Sequence, residues 1–403
     1  MDIRRLDRRE FIGAGVTALS FSIVKPQSVR GSQANSKITL GLLGCGGRGS
    51  WIAGLFMKHG GYQLTACHDY FEDRAHSVGE KFDIEVPRRF TGLSGYKRLI
   101  DSRVDAVAVE SPPYFHPEHA AAGVDAGCHV FLAKPIAVDV PGCMKVEESA
   151  KQAAGKNRCF LVDFQTRTDP LYREAIGRAQ AGDIGAIISG EATYVCGPTW
   201  GAQAKFLQEN PGSPESRLRA WGLDRALSGD IITEQNIHAI DVATWILDKA
   251  PVRAYGTGGR KAREAGDCWD YFSVIYIFPD EVVVTFHSKQ YGRGVDDICC
   301  RMYGTEGFID THYFAEVLIR GKVPFEGGKT DNMYTNGAVR NIAAFYDSIA
   351  RRDFSNPTVA PSVRSNLTTI LGRTAAYKKA ETTWDEMMRA NEKFEPGLAG
   401  LKS

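Results

Sequence analysis

The chain has 403 residues, of which 43% are hydrophobic and 24% are charged, and its formal net charge is +1. This length exceeds one ordinary hydrophobic core, so we expect two domains. The sequence has no basic tract interleaved with aromatic residues, which argues against a nucleic-acid partner. It also has no run of about 20 apolar residues, so no membrane span is predicted.

Residues 1–34 have the order of features that is typical of an export signal. Four arginines precede an apolar stretch over 11–24, and Ser32-Gln33-Ala34 offers a cleavage site between small residues. The segment Arg8–Ile12 resembles the twin-arginine signal, although Asp7 stands where Ser or Thr is usual. We therefore predict twin-arginine export to the periplasm; the alternative is a disordered or amphipathic N-terminal arm. Losing six Lys/Arg and three Asp/Glu would change the net charge from +1 to −2.

Nine cysteines show neither metal-like nor disulfide-like spacing. Several lie in apolar strand-like runs, where a thiol behaves as a small hydrophobic group. Such a chain suits folding in a reducing cytoplasm, and the twin-arginine route carries proteins that are already folded.

A glycine-rich loop follows the first predicted strand, 38–43. The loop carries Gly44, Gly46, Gly47, Arg48 and Gly49 and leads into a helix-like stretch. Glycines at this spacing let backbone N–H groups approach a pyrophosphate at a helix N-terminus. The next apolar run, 63–68, ends at Asp69, 20 residues past Gly49, where a Rossmann fold places the acid that binds the adenosine ribose. The pattern predicts a dinucleotide site that prefers NAD over NADP, although nearby Arg74 leaves NADP open.

The texture of the chain changes near residue 163. Before it, strand-like runs at 38–43, 63–68, 104–109, 129–132 and 159–162 alternate with helical segments, which predicts a parallel α/β sheet. After it, longer strand-like runs include 187–195 and the hairpin 271–278/281–286, which predicts a largely antiparallel sheet. We thus expect a Rossmann domain over 35–162 and a substrate-binding α/β domain over 163–403. The polar segment 197–228 is predicted to be a long active-site loop.

Two predicted parallel strands end in polar motifs at the edge where such sheets bind ligands. One end carries Ser111, Pro112 and His116, which we assign to the cofactor site. The other carries Lys134-Pro135, for which we predict a cis peptide bond facing the nicotinamide. Lys134 there can hydrogen-bond a substrate hydroxyl and help to move its proton; a solvated lysine is the alternative.

Glu234 and His238 are four residues apart in a predicted helix over 235–248 and its approach, so we expect them to share one helix face. An imidazole beside a carboxylate is a suitable general base near neutral pH. A structural histidine is the ordinary alternative. A metal site would need a third ligand, and no residue at a telling spacing provides one, so no metal is predicted.

These motifs together resemble the glucose–fructose oxidoreductase/inositol dehydrogenase (Gfo/Idh/MocA) family. The matching pieces span both domains: Gly44-x-Gly46-x-x-Gly49, Asp69, Ser111-Pro112-x-x-x-His116, Lys134-Pro135, Phe164-x-x-Arg167-x-x-Pro170, Gly182-x-Ile184-Gly185, His238-x-x-Asp241 and Gly304-Thr305-Glu306-Gly307. The chain departs from the family at Ala133, where Glu is usual, and at Glu234, where Asp is usual. We assign Gln165, Arg167 and Asn236, which lie in or beside these motifs, to the substrate site.

The resemblance implies an NAD-dependent oxidoreductase for a sugar, polyol or glycoside hydroxyl. His238, tuned by Glu234, would take the hydroxyl proton while Lys134 hydrogen-bonds the same oxygen. Export would require the cofactor to stay bound. A redox-neutral glycosidase working through transient C3 oxidation is the alternative, and a non-catalytic sugar sensor is a third reading. Relatives often associate through the second sheet, so we expect a homo-oligomer.

Overall fold

The computed structural model describes residues 37–294 and 296–403. The predicted export signal over 1–34 therefore lies outside the described residues. Within them, no helix combines the length and apolar character that crossing a membrane requires.

The first sheet is parallel, as the alternation of strands and helices predicted, and its six strands lie in the order β3-β2-β1-β4-β5-β6. Its central strands are buried on both faces, which explains their continuous apolar sequences. The short β3 was not predicted. The strands are β1 (Ile38–Leu43), β2 (Tyr62–Asp69), β3 (Arg89–Thr91), β4 (Ala106–Val109), β5 (His129–Ala133) and β6 (Phe160–Asp163).

Five helices connect these strands. Local signals set their limits: Gly60 ends α1 in the left-handed region, and the Asp139 carboxylate caps α5 by accepting a hydrogen bond from Gly142 N–H at 2.8 Å. The helices are α1 (Gly47–His59), α2 (Glu72–Lys81), α3 (Gly95–Asp101), α4 (His116–Asp125) and α5 (Val140–Gly155).

The second sheet has nine strands in the order β14-β13-β12-β11-β7-β10-β9-β8-β15. Among its described strand pairs β7–β10 is parallel and the rest are antiparallel, so the predicted open antiparallel sheet is confirmed, including the β9–β10 hairpin. The strands are β7 (Ile187–Cys196), β8 (Arg253–Gly259), β9 (Tyr271–Ile277), β10 (Val283–Gln290), β11 (Asp297–Gly304), β12 (Gly307–His312), β13 (Glu316–Gly321), β14 (Phe325–Lys329) and β15 (Thr382–Thr383).

Several of the remaining helices pack against one or the other of the two sheets. Ala338, Ile342 and Phe345 of α12 lie in one buried cluster with Leu40 of β1, so this late helix covers the first sheet rather than the second. The segment 197–228, predicted as a loop, contains three short helices. The helices are α6 (Pro170–Gln180), α7 (Ala204–Glu209), α8 (Pro214–Arg219), α9 (Arg225–Ser228), α10 (Asp230–Glu234), α11 (Ile237–Leu247), α12 (Met333–Arg351), α13 (Val359–Lys378) and α14 (Trp384–Ala390).

Candidate functional site

The glycine loop after β1 has the close contacts that only glycine permits at two positions. Gly44 has a φ of +102°, and a Cβ there would lie 2.6 Å from the Glu110 backbone. A Cβ at Gly49 would lie 1.9 Å from the Gly44 carbonyl oxygen. Cβ atoms at Gly46 and Gly47 would instead meet no described atom within 4 Å. The loop therefore leaves open space in front of the α1 N-terminus, which suits a pyrophosphate.

Asp69 lies at the end of β2 beside this loop, as predicted. Its carboxylate accepts hydrogen bonds from the backbone N–H of Cys45 at 2.9 Å and of Phe71 at 3.0 Å. The residue is 7% exposed and lines a cavity together with Gly44, Phe71 and Arg74. The carboxylate is thus fixed beside the glycine loop, and we call this cavity the adenosine cavity after the role predicted for Asp69.

Replacing Asp69 with alanine should weaken NAD binding by about 1.5–3 kcal/mol, because charge-assisted hydrogen bonds to the ribose are lost. Calorimetric titration with NAD measures the change. Asp105→Ala is the matched control, since its carboxylate makes a comparable bond to the Thr39 backbone N–H at the opposite end of β1. Equal NAD affinity in Asp69→Ala and Asp105→Ala would remove Asp69 from the ribose site.

The Arg48 side chain is held by other protein side chains. Its guanidinium forms ion pairs with Glu110, at 2.9 Å, and with Asp163, and it donates to the Tyr334 hydroxyl at 2.8 Å. Burial alone would lower the pKa of Arg48, but the two carboxylates raise it overall. The side chain lines the cleft with its charge already matched by protein groups, and the assignment of Arg48 to the cofactor site stays a prediction.

The sequence analysis gave Glu110 no role. This carboxyl follows β4 directly, and its side chain is fully buried. Burial raises its pKa to about 7, and the Arg48 charge opposes that rise. Glu110 lines the cleft together with Arg48 and Lys134.

The loops after β4 and β5 are tied together by His116. Its two ring nitrogens lie 2.7 Å from the Pro135 carbonyl oxygen and 2.6 Å from that of Ser111. Burial lowers the pKa of His116 to about 4, and a neutral ring donates a hydrogen bond from only one of these two nitrogens. The ring, Ser111 and Lys134 line one cleft of about 310 Å³, and Pro112 lines the adenosine cavity. The predicted cis peptide bond between Lys134 and Pro135 is confirmed.

Lys134 is buried and contacts Glu234. Its Nζ donates to the Glu234 backbone carbonyl at 2.7 Å and lies 3.3 Å from Oε1 of the same residue. Burial lowers the pKa of Lys134, and the Glu234 carboxylate opposes that change. The alternative of a solvated lysine is therefore wrong.

The expectation that Glu234 and His238 share one helix face is also wrong. Helix α10 ends at Glu234 and α11 begins at Ile237, so Gln235 and Asn236 interrupt the helix between the two residues. The Glu234 carboxylate is directed to Lys134 instead. Glu234 therefore belongs to the site through the lysine and does not tune the imidazole.

His238 is 8% exposed, and its Nδ1 has no hydrogen-bond partner within the described chain. Its ring packs edge-on against Tyr313, with the ring centroids 5.4 Å apart. Burial lowers the pKa of His238 well below its usual value, and the charges of Lys134 and Arg48 lower it further. These effects favour the neutral form of the imidazole ring.

Of the predicted substrate residues, Gln165 and Asn236 are fully buried with polar atoms that lack partners among residues 37–294 and 296–403. Gln165 donates to the Asp163 carboxylate at 2.8 Å, which leaves its Oε1 unpaired. Arg167, the third predicted substrate residue, forms an ion pair with Asp241 at 2.7 Å. Its side chain lines a cavity other than the cleft that contains Lys134. The buried Asp241 carboxylate thus balances the charge of Arg167.

Five side chains form what we call the polar cluster. Each is buried and carries an N or O atom without a hydrogen-bond partner in the part of the chain that the structure describes. The cluster consists of Gln165, Glu234, Asn236, His238 and Tyr313. Tyr313 was not predicted; it follows β12 and lies far along the chain from the other four.

The cleft has a second wall that local motifs could not indicate. Trp200, Gln203 and Trp221 face the glycine loop across the cleft, and Leu218 closes the adenosine cavity. All four come from the segment predicted to be an active-site loop.

One group of described side chains has ligand atoms close enough for a metal ion: Asp297, Cys299 and His312, on β11 and β12 of the second sheet. The His312 ring already contacts Asp297, Asp310 and Arg301. These residues are outside the polar cluster, and the prediction of no metal at the site stays a prediction.

Comparison with known protein families decides the assignment. Residues 38–162 match the oxidoreductase family with an NAD-binding Rossmann fold, and residues 172–310 match the GFO/IDH/MocA C-terminal domain. The chain belongs to the Gfo/Idh/MocA family. Its first domain is an NAD-binding domain, and the open space before α1 together with Asp69 fits that cofactor.

Several curated relatives carry inositol dehydrogenase names. Inositol 2-dehydrogenase 3 of Saccharopolyspora erythraea is 29% identical over 62% of this chain, and the chain spans 65% of that relative's length. Inositol 2-dehydrogenase/D-chiro-inositol 3-dehydrogenase of Shouchella clausii is 30% identical over 68% of this chain and 71% of its own. Among solved structures, scyllo-inositol dehydrogenase from Lactobacillus casei with bound NAD(H) and scyllo-inositol matches with a TM-score of 0.68 at 18% identity, covering 87% and 100% of the two chains. This last likeness concerns the fold.

Proposed function

We propose that the protein is an NAD-dependent oxidoreductase that acts on a hydroxyl of a sugar, polyol or glycoside. The polar cluster beside Lys134 carries this proposal. A buried polar atom without a partner costs about 1–3 kcal/mol, so five such side chains, of which Glu234 contacts Lys134 and His238 packs against Tyr313, support a ligand that satisfies them. A polyhydroxylated molecule offers donors and acceptors at this density. The inositol dehydrogenase names of the curated relatives support the same substrate class.

The chain's own residues divide the chemistry. NAD, when bound, supplies the hydride acceptor. Lys134, held by Glu234, hydrogen-bonds the reacting hydroxyl oxygen, and His238 accepts its proton as a neutral base. Asn236 and Gln165 bind neighbouring hydroxyls and orient the substrate.

The first experiment is to purify the protein, denature a portion and measure the NAD(H) released per chain. The native remainder is then mixed with a panel of free sugars, polyols and glycosides while nicotinamide absorbance is followed. Reduction of NAD by at least one of these compounds supports the proposal. If NAD is bound but no hydroxyl compound reduces it, the oxidoreductase proposal fails.

A redox-neutral glycosidase is the second candidate, and Glu110 favours it. Oxidation at C3 acidifies the C2 proton; loss of that proton expels the C1 substituent, water then adds, and the hydride returns to C3. These reaction steps need an additional acid or base. The buried Glu110 carboxyl, whose pKa is raised to about 7, fits that need. Release of aglycone without any electron acceptor identifies the glycosidase, whereas a dehydrogenase stops after one turnover.

We also propose export by the twin-arginine route to the periplasm. The support is the order of arginines, apolar stretch and small-residue site in 1–34. Expression of the full chain followed by N-terminal sequencing of periplasmic protein tests it. Changing Arg8 and Arg9 to lysine should keep the protein in the cytoplasm; unchanged periplasmic recovery contradicts the proposal.

Self-association through the second sheet is a further part of the proposal. Helices α11 and α13 pack against one face of this sheet, while Tyr255, Ile275 and Tyr303 are exposed on strands β8, β9 and β11. Light scattering of the purified protein gives the mass in solution. Replacing Ile275 and Tyr303 with serine should lower that mass to one chain.

Tyr313→Phe should raise the KM for a reactive sugar up to about tenfold, because one neutral hydrogen bond to a substrate hydroxyl is lost. Burial raises the pKa of Tyr313, so its hydroxyl stays protonated and donates. Tyr276→Phe is the matched control, since this hydroxyl is also buried and unpaired among the described residues but lies beneath α13 near Gly372. Equal steady-state KM values for the two variants would place Tyr313 outside the substrate site.

A further inference from the structure

We propose that residues 197–228, here named the cover segment, form one wall of the cofactor site and retain NAD(H) between turnovers. The segment belongs to the second domain by sequence but reaches the edge of the first sheet. It contributes to both the adenosine cavity and the cleft at the glycine loop. The inference rests on the proposed function, because retention has a purpose only if the cofactor is used repeatedly.

At the adenosine end, the cover segment makes apolar contact with the Rossmann domain. Leu218 is 3% exposed and forms a buried cluster with Phe71, which follows Asp69 by two residues. The Arg219 guanidinium lies 3.9 Å from the centroid of the Phe71 ring. A dinucleotide whose ribose is bound by Asp69 would therefore lie beneath Leu218.

At the glycine-loop end, two tryptophans face the open space before α1. The rings of Trp200 and Trp221 are 4.9 Å apart, and Gln203 accepts a hydrogen bond from Gly222 N–H at 3.1 Å. Trp200 has a φ of +64°, a conformation that costs energy for a bulky residue. Its buried Nε1 also has no acceptor within the described residues. The Trp200 ring packs against Gly222 and lines the cleft opposite the glycine loop.

Polar contacts outside the cavities fasten the cover segment to the Rossmann domain. Arg219 pairs with Asp73 at 2.8 Å, and the Tyr70 hydroxyl donates to Glu215 at 2.7 Å. Tyr70 also accepts a hydrogen bond from the Lys402 backbone N–H at 3.2 Å. Exit of the cofactor therefore requires these contacts and the Leu218–Phe71 packing to open together.

The test measures NADH release from the purified full-length protein. The protein is loaded with NADH, separated from excess and chased with NAD⁺, while nicotinamide emission excited through tryptophan is followed. Leu218→Ala should release NADH at least about tenfold faster, because a buried leucine side chain is removed. Asp73→Ala loses the partly exposed ion pair with Arg219, so its NADH release rate should increase about two- to fivefold.

Two controls separate the cover from general destabilisation. Leu367→Ala removes an equally buried leucine from α13, and Asp280→Ala breaks the exposed Lys249–Asp280 pair at 2.8 Å. Both should release NADH at the wild-type rate. The inference is overturned if Leu218→Ala and Asp73→Ala match these controls. If NADH release is slow but no sugar reduces NAD, the proposed function is contradicted and the cover segment is not. If a sugar reduces NAD but NADH release is unchanged in both variants, the role of the cover segment is contradicted and the proposed function is not.

Discussion

Replacing His238 with asparagine should slow reduction of bound NAD by substrate about a hundredfold or more, which is the usual contribution of a positioned general base. The fold should survive, because His238 Nδ1 has no hydrogen bond to lose within residues 37–294 and 296–403. NAD content should also be unchanged. Single-turnover absorbance of the nicotinamide measures the rate directly.

The pH dependence gives this prediction a sign. A base works only when it is deprotonated, and burial, Lys134 and Arg48 all lower the pKa of His238. Wild-type reduction by substrate should therefore persist well below pH 6.5, the ordinary pKa of histidine. His287→Asn on β10 is the matched control and should react at the wild-type rate. A His238→Asn protein that reduces NAD normally across pH would transfer the role of base to Lys134.

The parts of the fold that the sequence predicted are those with strong local periodicity. Five of the six strands in the first sheet follow from apolar runs separated by helical segments, and the β9–β10 hairpin follows from Pro279-Asp280 between two such runs. Strands β8 and β14 were missed because each contains at least two glycines, and glycine is rare in strands. Their pairing depends on neighbouring strands, which a single segment does not reveal.

The site divides in the same way. Gly44, Asp69 and Lys134 were predicted because strand ends and short loops fix their positions locally. The partners of Arg48, Glu234 and Arg167 are 62 or more positions distant along the chain, so no local pattern contains them. The four-residue spacing of Glu234 and His238 misled because it assumes an unbroken helix.

Replacing Lys134 with methionine should lower the rate of NAD reduction by about a hundred- to ten-thousandfold, because the donor to the reacting oxygen is removed. Lys134→Arg should recover part of that rate only if the positive charge is what matters. Lys289→Met in β10 is the control for loss of a lysine away from the site. Single-turnover rates with one reactive sugar compare all three. A Lys134→Met protein as fast as the control would exclude Lys134 from the chemistry.

Glu234→Gln tests which group the carboxylate acts on. The backbone bond from Lys134 Nζ to the Glu234 carbonyl remains, but the charge that raises the lysine pKa is lost. The pKa of Lys134 should therefore fall further, and the limb of the pH–rate profile that belongs to it should move to lower pH. This shift should persist in a Glu234→Gln/His238→Asn double variant, because the carboxylate contacts the lysine. Disappearance of the shift in that double variant would instead restore the pairing of Glu234 with His238 during catalysis.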